Sequence, residues 1–170
     1  KALEKENGKV LMITSTIPNE GKTTVSINLA TALAQKDKKT LLVDCDLRNP
    51  SVGEIYNMDN HVGFTEFLKG ECSLKDALHR MNDSNLYVVF GGAATSNPEK
   101  LLGHKNAKRF IEAAREYFDY IILDTPPCAL MADAAEISAL ADAISCEVTE
   151  ERNGVYECVI KYPVTGAHFK

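Results

Sequence analysis

The chain has 170 residues and no apolar run approaching the ~20 residues that cross a bilayer, and no signal-peptide pattern opens it. It also lacks a basic excess: 19 Lys and Arg against 24 Asp and Glu leave a net charge of −5. Nucleic-acid binding rests on a basic face that neutralises phosphates, so this balance argues against nucleic acid as the main partner. The cysteines Cys45, Cys72, Cys128, Cys146 and Cys158 are widely spread, with no CxxC pair and no His at metal-ligand spacing. Free thiols in a reducing cytosol are expected rather than a metal or disulfide framework. Internal repeats, low-complexity tracts and linkers are absent too. With 45% hydrophobic and 25% charged residues, the chain suits one globular domain with a real core. It opens "KALEKENGKV" without an initiator methionine, as expected of a domain taken from something longer.

What is present is an alternation of short apolar runs and helical stretches. Residues 9–15 (KVLMITS), 39–46 (KTLLVDCD), 85–92 (NLYVVFGG) and 120–127 (YIILDTPP) are bounded by turn signals and read as buried strands. Lys22 to about Lys36 reads as a helix with Val25, Leu29, Ala32 and Leu33 along one face. FTEFLKG and SLKDALHRM read as short helices, the second with Ser73 as N-cap. Residues 97–118 are helical by period with a break at Gly103, and 133–143 form a short helix with Asp133 near its start. This alternation predicts an α/β fold: a parallel sheet with helices on both faces.

Three strand ends carry chemistry. The first strand runs into TSTIPNEGKTT, residues 14–24. The usual phosphate loop has a glycine five residues before Gly21, where this chain has Thr16. Even so, backbone N–H groups from about Pro18 to Thr24 (proline has none) can wrap a phosphate at the positive end of a helix, which brings in Asn19, Glu20, Gly21 and Thr24. Lys22 would reach phosphates and the Thr23 hydroxyl a magnesium ion. Asp44 and Asp46 end the second strand, with side chains expected on one side and Cys45 on the other. Two such carboxylates repel unless a cation or donors lie between them. Asp124 ends a third apolar strand, where a magnesium-holding carboxylate is usually placed. Phosphate- and magnesium-type groups at three strand ends point to binding of a nucleotide with Mg²⁺.

The segments STIPNEGKTT, LLVDCDLRNPSV and IILDTPPCALMADA resemble the Walker A, Walker A′ and Walker B motifs of the bacterial tyrosine kinases. These P-loop autokinases control capsule and exopolysaccharide synthesis. The likeness covers about residues 9–143 and includes GFTEFLKGECSLKDAL, NLYVVFGGAATSNPEKLL and FIEAAREYFDYIILDTPP. Walker-type partitioning and cell-division ATPases, which bind ATP as a switch, carry an additional lysine near the loop's start; here that position is Ile17. The resemblance implies that the nucleotide is ATP, that Lys22 binds its phosphates and that Thr23 and Asp124 hold magnesium. It makes Asp44 and Asp46 the second acidic motif, with Asp44 at the magnesium and favoured as acceptor of the tyrosine proton. Arg48 would contact phosphate or a neighbouring subunit, or form a structural ion pair; Asp133 matches the family's ADA segment. A membrane-anchored polysaccharide co-polymerase as partner, self-association, and a cytoplasmic place at the inner face of the membrane are implied as well.

The last residues depart from the family, which ends in a tyrosine-rich tail. The division expected is a P-loop nucleotide-binding kinase domain over 1–143 and a divergent tail over 144–170 that completes the same domain. Apolar and polar residues alternate on both sides of Asn153-Gly154, which predicts an antiparallel hairpin over 144–164 packed on the sheet edge. Tyr156 and Tyr162 are the tail's only tyrosines and its candidate phosphosites. An active kinase, an ATP-binding switch and an inactive truncated kinase domain all remain open on the sequence.

Overall fold

A computed structural model describes residues 8–15, 18–58, 62–103, 105–127, 133–147 and 158–161. In chain order the strands are β1 (Lys9–Ser15), β2 (Thr40–Asp44), β3 (Leu78–Arg80), β4 (Leu86–Val89), β5 (Tyr120–Asp124), β6 (Ala143–Glu147) and β7 (Cys158–Lys161). The helices are α1 (Lys22–Gln35), α2 (Val52–Ile55), α3 (Phe64–Lys69), α4 (Leu74–Ala77), α5 (Pro98–Leu102), α6 (Lys105–Tyr117) and α7 (Asp133–Ser138). Among the described residues one sheet forms, in the order β3-β4-β2-β5-β1-β6-β7. The four runs read as strands are β1, β2, β4 and β5, all mutually parallel where they pair.

Side chains alternate across each strand, so the sheet divides the core in two. Val10, Met12, Leu41, Val43, Ile121 and Leu123 face one layer, closed by α3, α5, α6 and α7 through Phe64, Leu102, Phe110 and Ile137. Ile13, Leu42, Val88 and Ile122 face the other, closed by α1 and α2. The helices therefore cover both faces, as the apolar runs predict. The buried line of α1 differs from the expectation: Ser26, Ala30 and Ala34 are buried, whereas Val25, Leu29 and Leu33 are half-buried and Ala32 is exposed. Small side chains at four-residue spacing let the helix lie close on the sheet, which outweighs the larger residues beside them.

Three elements depart from the sequence reading. SLKDALHRM is helical only to Ala77; Leu78–Arg80 turns into an antiparallel strand beside β4. The helix expected over 133–143 ends at Ser138. The residues after it join the sheet as β6, parallel to β1. Asp142 sets that entry: its N–H donates to the Val10 carbonyl at 2.9 Å and its Oδ2 accepts from Val10 N–H at 2.9 Å. Arg115 of α6 locks the same carboxylate, Nη2 donating to Oδ1 at 3.0 Å.

Strands β6 and β7 pair antiparallel on the β1 edge of the sheet, as the alternating pattern predicts. The register pairs Glu147 with Cys158, whereas a two-residue turn on Asn153-Gly154 would pair Glu147 with Ile160. A shift of two residues keeps every side chain on its own face. Asn153-Gly154 and the candidate phosphosites Tyr156 and Tyr162 lie outside the described residues.

Candidate active site

The site lies at the carboxyl ends of the parallel strands, where α/β sheets bind ligands. Asp44 follows Leu42 by two residues and Asp124 follows Ile122 by two, so both carboxylates share the face of those residues, the face that α1 covers. They are also register partners on neighbouring strands. Adjacent parallel strands lie about 4.8 Å apart, so two acids are held side by side beneath the start of α1. Cys45, on the alternate position, lies in the opposite core layer as expected, where burial pushes its thiol well up.

Two residues of the loop before α1 have positive φ. Asn19 at φ 64° and Gly21 at φ 88° both occupy the left-handed region, which glycine and asparagine tolerate best. Gly21 is the N-cap of α1 but supplies no side-chain cap, and the first turn carries no acidic residue. The N–H groups that open α1 therefore keep a positive, uncapped end of a 14-residue helix. Lys22 begins the helix, and its charge reaches Asp124 and opposes the rise in that carboxyl's pKa. Thr24 is exposed in the first turn of α1, and Glu20 is half-buried in the loop before it.

Asp44 is fully buried. Its Oδ2 accepts from the N–H groups of Ser51 at 3.0 Å and Val52 at 3.1 Å, and its Oδ1 from Asp46 N–H at 3.2 Å. Burial first, then the charge of Asp124, pushes its pKa up to about 8 despite those donors. Asp124 is 1% exposed. Burial pushes it up to about 6, against the pull of the Thr23 and Ser26 hydroxyls and of Lys22. Its Oδ1 lies 2.9 Å from Ser26 Oγ, but its Oδ2 has no hydrogen-bond partner. Two neighbouring buried acids, both hard to ionise, with one orphaned oxygen, fit a cation between them. Among the described residues no group of three or more His, Cys, Asp or Glu forms a metal cage. The pair Asp44 and Asp124 suits magnesium, which takes one or two carboxylates and otherwise keeps waters and phosphate oxygens.

Most of the residues singled out in the sequence converge here, and the exceptions are instructive. Asp46 lies beyond the end of β2, not on it: its carbonyl and Oδ1 both accept from Asn49 N–H at 3.2 Å, which makes a turn. Its charge still contributes to the raised pKa of both Asp44 and Asp124. Arg48 donates to Glu99 Oε2 at 2.8 Å and to the Ser96 carbonyl at 3.1 Å, which is the ion-pair alternative. Asp133 opens α7.

Sequence reasoning missed Ser26, Ser51 and Gly91. Ser26 sits four residues after Lys22 and its Oγ is 2.9 Å from both the Lys22 carbonyl and Asp124 Oδ1; no pattern in the sequence marks it. The Ser51 hydroxyl lies 3.3 Å from that of Thr23. A Cβ on Gly91 would stand 2.6 Å from Pro50 Cβ and 3.3 Å from Asp44 Cγ, so glycine lets the loop after β4 close over Asp44.

Comparison with known proteins identifies the family. The family described as AAA domain matches residues 3–152. The tyrosine-protein kinase CpsD of Streptococcus pneumoniae serotype 4 is 46% identical over 147 residues, covering 85% of this chain and 65% of the relative. This chain thus spans less than two thirds of that relative's length. The crystal structure of the VpsO kinase domain superposes with a TM-score of 0.78 at 36% identity, covering 82% of this chain and 68% of that one. The cell-division ATPase MinD of Pyrococcus furiosus superposes at 0.70 with 28% identity, covering 82% and 58%. The likeness to the VpsO kinase domain exceeds that to the cell-division ATPase in both identity and superposition, and the chain belongs to the AAA-domain family of P-loop proteins, in its bacterial tyrosine-kinase branch.

Proposed function

We propose that this chain binds Mg-ATP and transfers the γ-phosphoryl group to tyrosine hydroxyls, as the kinase domain of a regulator of capsular or exopolysaccharide synthesis. The observation that carries the reading is the register pair Asp44 and Asp124, buried beneath the uncapped start of α1 with one carboxylate oxygen unpartnered. The N–H groups from Asn19 to Thr24 and the Lys22 ammonium bind phosphate oxygens. The Thr23 hydroxyl, Asp124 and Asp44 hold the magnesium ion. That ion supplies charge neutralisation of the phosphates when bound.

Phosphoryl transfer asks a protein for little beyond position and charge. A tyrosine hydroxyl, with a pKa near 10, also needs a group to take or orient its proton. Asp44 has that role in this reading, and Asp46 is its half-exposed neighbour. Residues 144–170 complete the kinase domain, and Tyr156 and Tyr162 are the phosphosites. A membrane-anchored co-polymerase partner, self-association and a place at the inner membrane face belong to the same reading and rest on family likeness. Among the described residues no helix is long and apolar enough to cross a membrane.

Titration calorimetry with Mg-ADP tests the nucleotide site. Lys22→Met removes a charged donor, and affinity is expected to fall at least about tenfold. Unchanged affinity in a folded variant would contradict the phosphate-loop assignment.

A further inference from the structure

The proposed cation ligands come from separate elements, and something must set the distance between them. Thr23 stands on α1, while Asp44 ends β2. A threonine in a helix divides between two χ1 rotamers, because its hydroxyl can turn back to a carbonyl of the preceding turn. Only the outward rotamer offers an oxygen to a cation beside Asp44. One residue touches both ligands. The Ser51 N–H donates to Asp44 Oδ2 at 3.0 Å, and the Ser51 hydroxyl lies 3.3 Å from Thr23 Oγ1.

Ser51 is itself well fixed. It precedes α2, whose Val52 is fully buried in the α1-side core and adds a second N–H to Asp44 Oδ2 at 3.1 Å. Pro50, on its other side, is clamped against Gly91. The Ser51 hydroxyl is thus presented to Thr23 from a held backbone. A neutral hydroxyl suits that place. It can share a hydrogen bond with the Thr23 hydroxyl in either direction, without the charge that would make it compete for the cation.

We propose that Ser51 is a positioning residue for magnesium, holding the Thr23 hydroxyl in its cation-facing rotamer and at a fixed distance from Asp44. This rests on the nucleotide-site reading above. It assigns Ser51 no contact with the nucleotide or the metal, so its effect belongs to the metal-dependent part of binding alone.

The test is titration of fluorescent ADP at increasing MgCl₂, and in EDTA, for the unaltered chain, Ser51→Ala and Ser51→Thr. Removing a group that orients a metal ligand typically costs tenfold or more in metal affinity, so Ser51→Ala should raise the half-maximal Mg²⁺ concentration about tenfold. Affinity in EDTA should stay unchanged, and Ser51→Thr, which keeps the hydroxyl, should restore the Mg²⁺ midpoint. An unchanged midpoint in Ser51→Ala overturns the inference while leaving the nucleotide reading intact. An equal loss of affinity with and without Mg²⁺ also overturns it, since that marks a purely structural role. Absence of Mg²⁺-dependent binding in the unaltered chain overturns the nucleotide reading itself, and this inference with it.

Discussion

Replacing Asp124 by asparagine should make the metal-free protein more stable at alkaline pH, although the residue belongs to the proposed active site. In the fold its carboxyl is raised from 3.8 to about 6, burial being the largest cause. A raised acid contributes stability that is present below its unfolded pKa and lost as pH rises through the folded one. At pH 8 the ionised carboxylate carries the whole penalty. A shift of about two units at about 1.4 kcal/mol each is on the order of 3 kcal/mol. Asparagine removes the charge but leaves an amide in place of the unpartnered Oδ2, which gives back about 1 kcal/mol. The net gain is on the order of 2 kcal/mol, or a melting temperature higher by about 5 °C in a domain of this size. Relief of the neighbouring Asp44 acts in the same direction. Thermal unfolding in EDTA at pH 8 and at pH 4.5 measures it. The gain should appear at pH 8 and vanish at pH 4.5, where Asp124 is protonated in the fold. Saturating Mg-ADP should narrow the difference, because only the aspartate gains from the cation. A destabilised variant at pH 8 in EDTA, or a gain independent of pH, would refute the electrostatic reasoning.

Three further outcomes are expected. Asp44→Asn and Asp124→Asn should reduce phosphotransfer by at least about a hundredfold while changing nucleotide affinity far less, as transfer-rate and binding assays on the same preparations will show. Gly91→Ala places a methyl group 2.6 Å from Pro50 Cβ. It should cost about 1–3 kcal/mol in denaturant unfolding and lower phosphotransfer, because the displaced loop abuts Asp44. Amide exchange should be slow at alternate positions of Cys158–Lys161, whose register with Ala143–Glu147 uses ladder hydrogen bonds; uniformly fast exchange there would remove β7.

The strands and the acids at their ends were legible because both obey short rules. Four apolar runs bounded by turns gave β1, β2, β4 and β5, and period-two alternation carried Asp44 and Asp124 to one face. The start of α1 was legible from Gly21-Lys22-Thr23. Less legible were features decided by contacts distant in sequence. Leu78–Arg80 follows a helical pattern, yet a free edge of β4 draws it into the sheet. Ala143–Glu147 looked like the seam where the family pattern fails, but Asp142, Val10 and Arg115, far apart in the chain, lock it beside β1. Asp46 was placed on β2 by spacing alone, whereas the strand stops at Asp44 because the Asp44 side chain takes the N–H groups of Ser51 and Val52 and pulls the chain into a turn. Ser26 and Ser51 have no motif to mark them; each is recognisable only from the oxygen it faces.

The central claim is transfer to tyrosine, and incubation with Mg-ATP followed by mass-spectrometric mapping of phosphosites tests it most directly. Phosphotyrosine should appear on this chain, with Tyr156 and Tyr162 among the sites, and should be lost in Lys22→Met and Asp44→Asn. Tight Mg-ATP binding with no phosphotyrosine on the chain or on an added tyrosine peptide would contradict the claim and leave an ATP-binding switch.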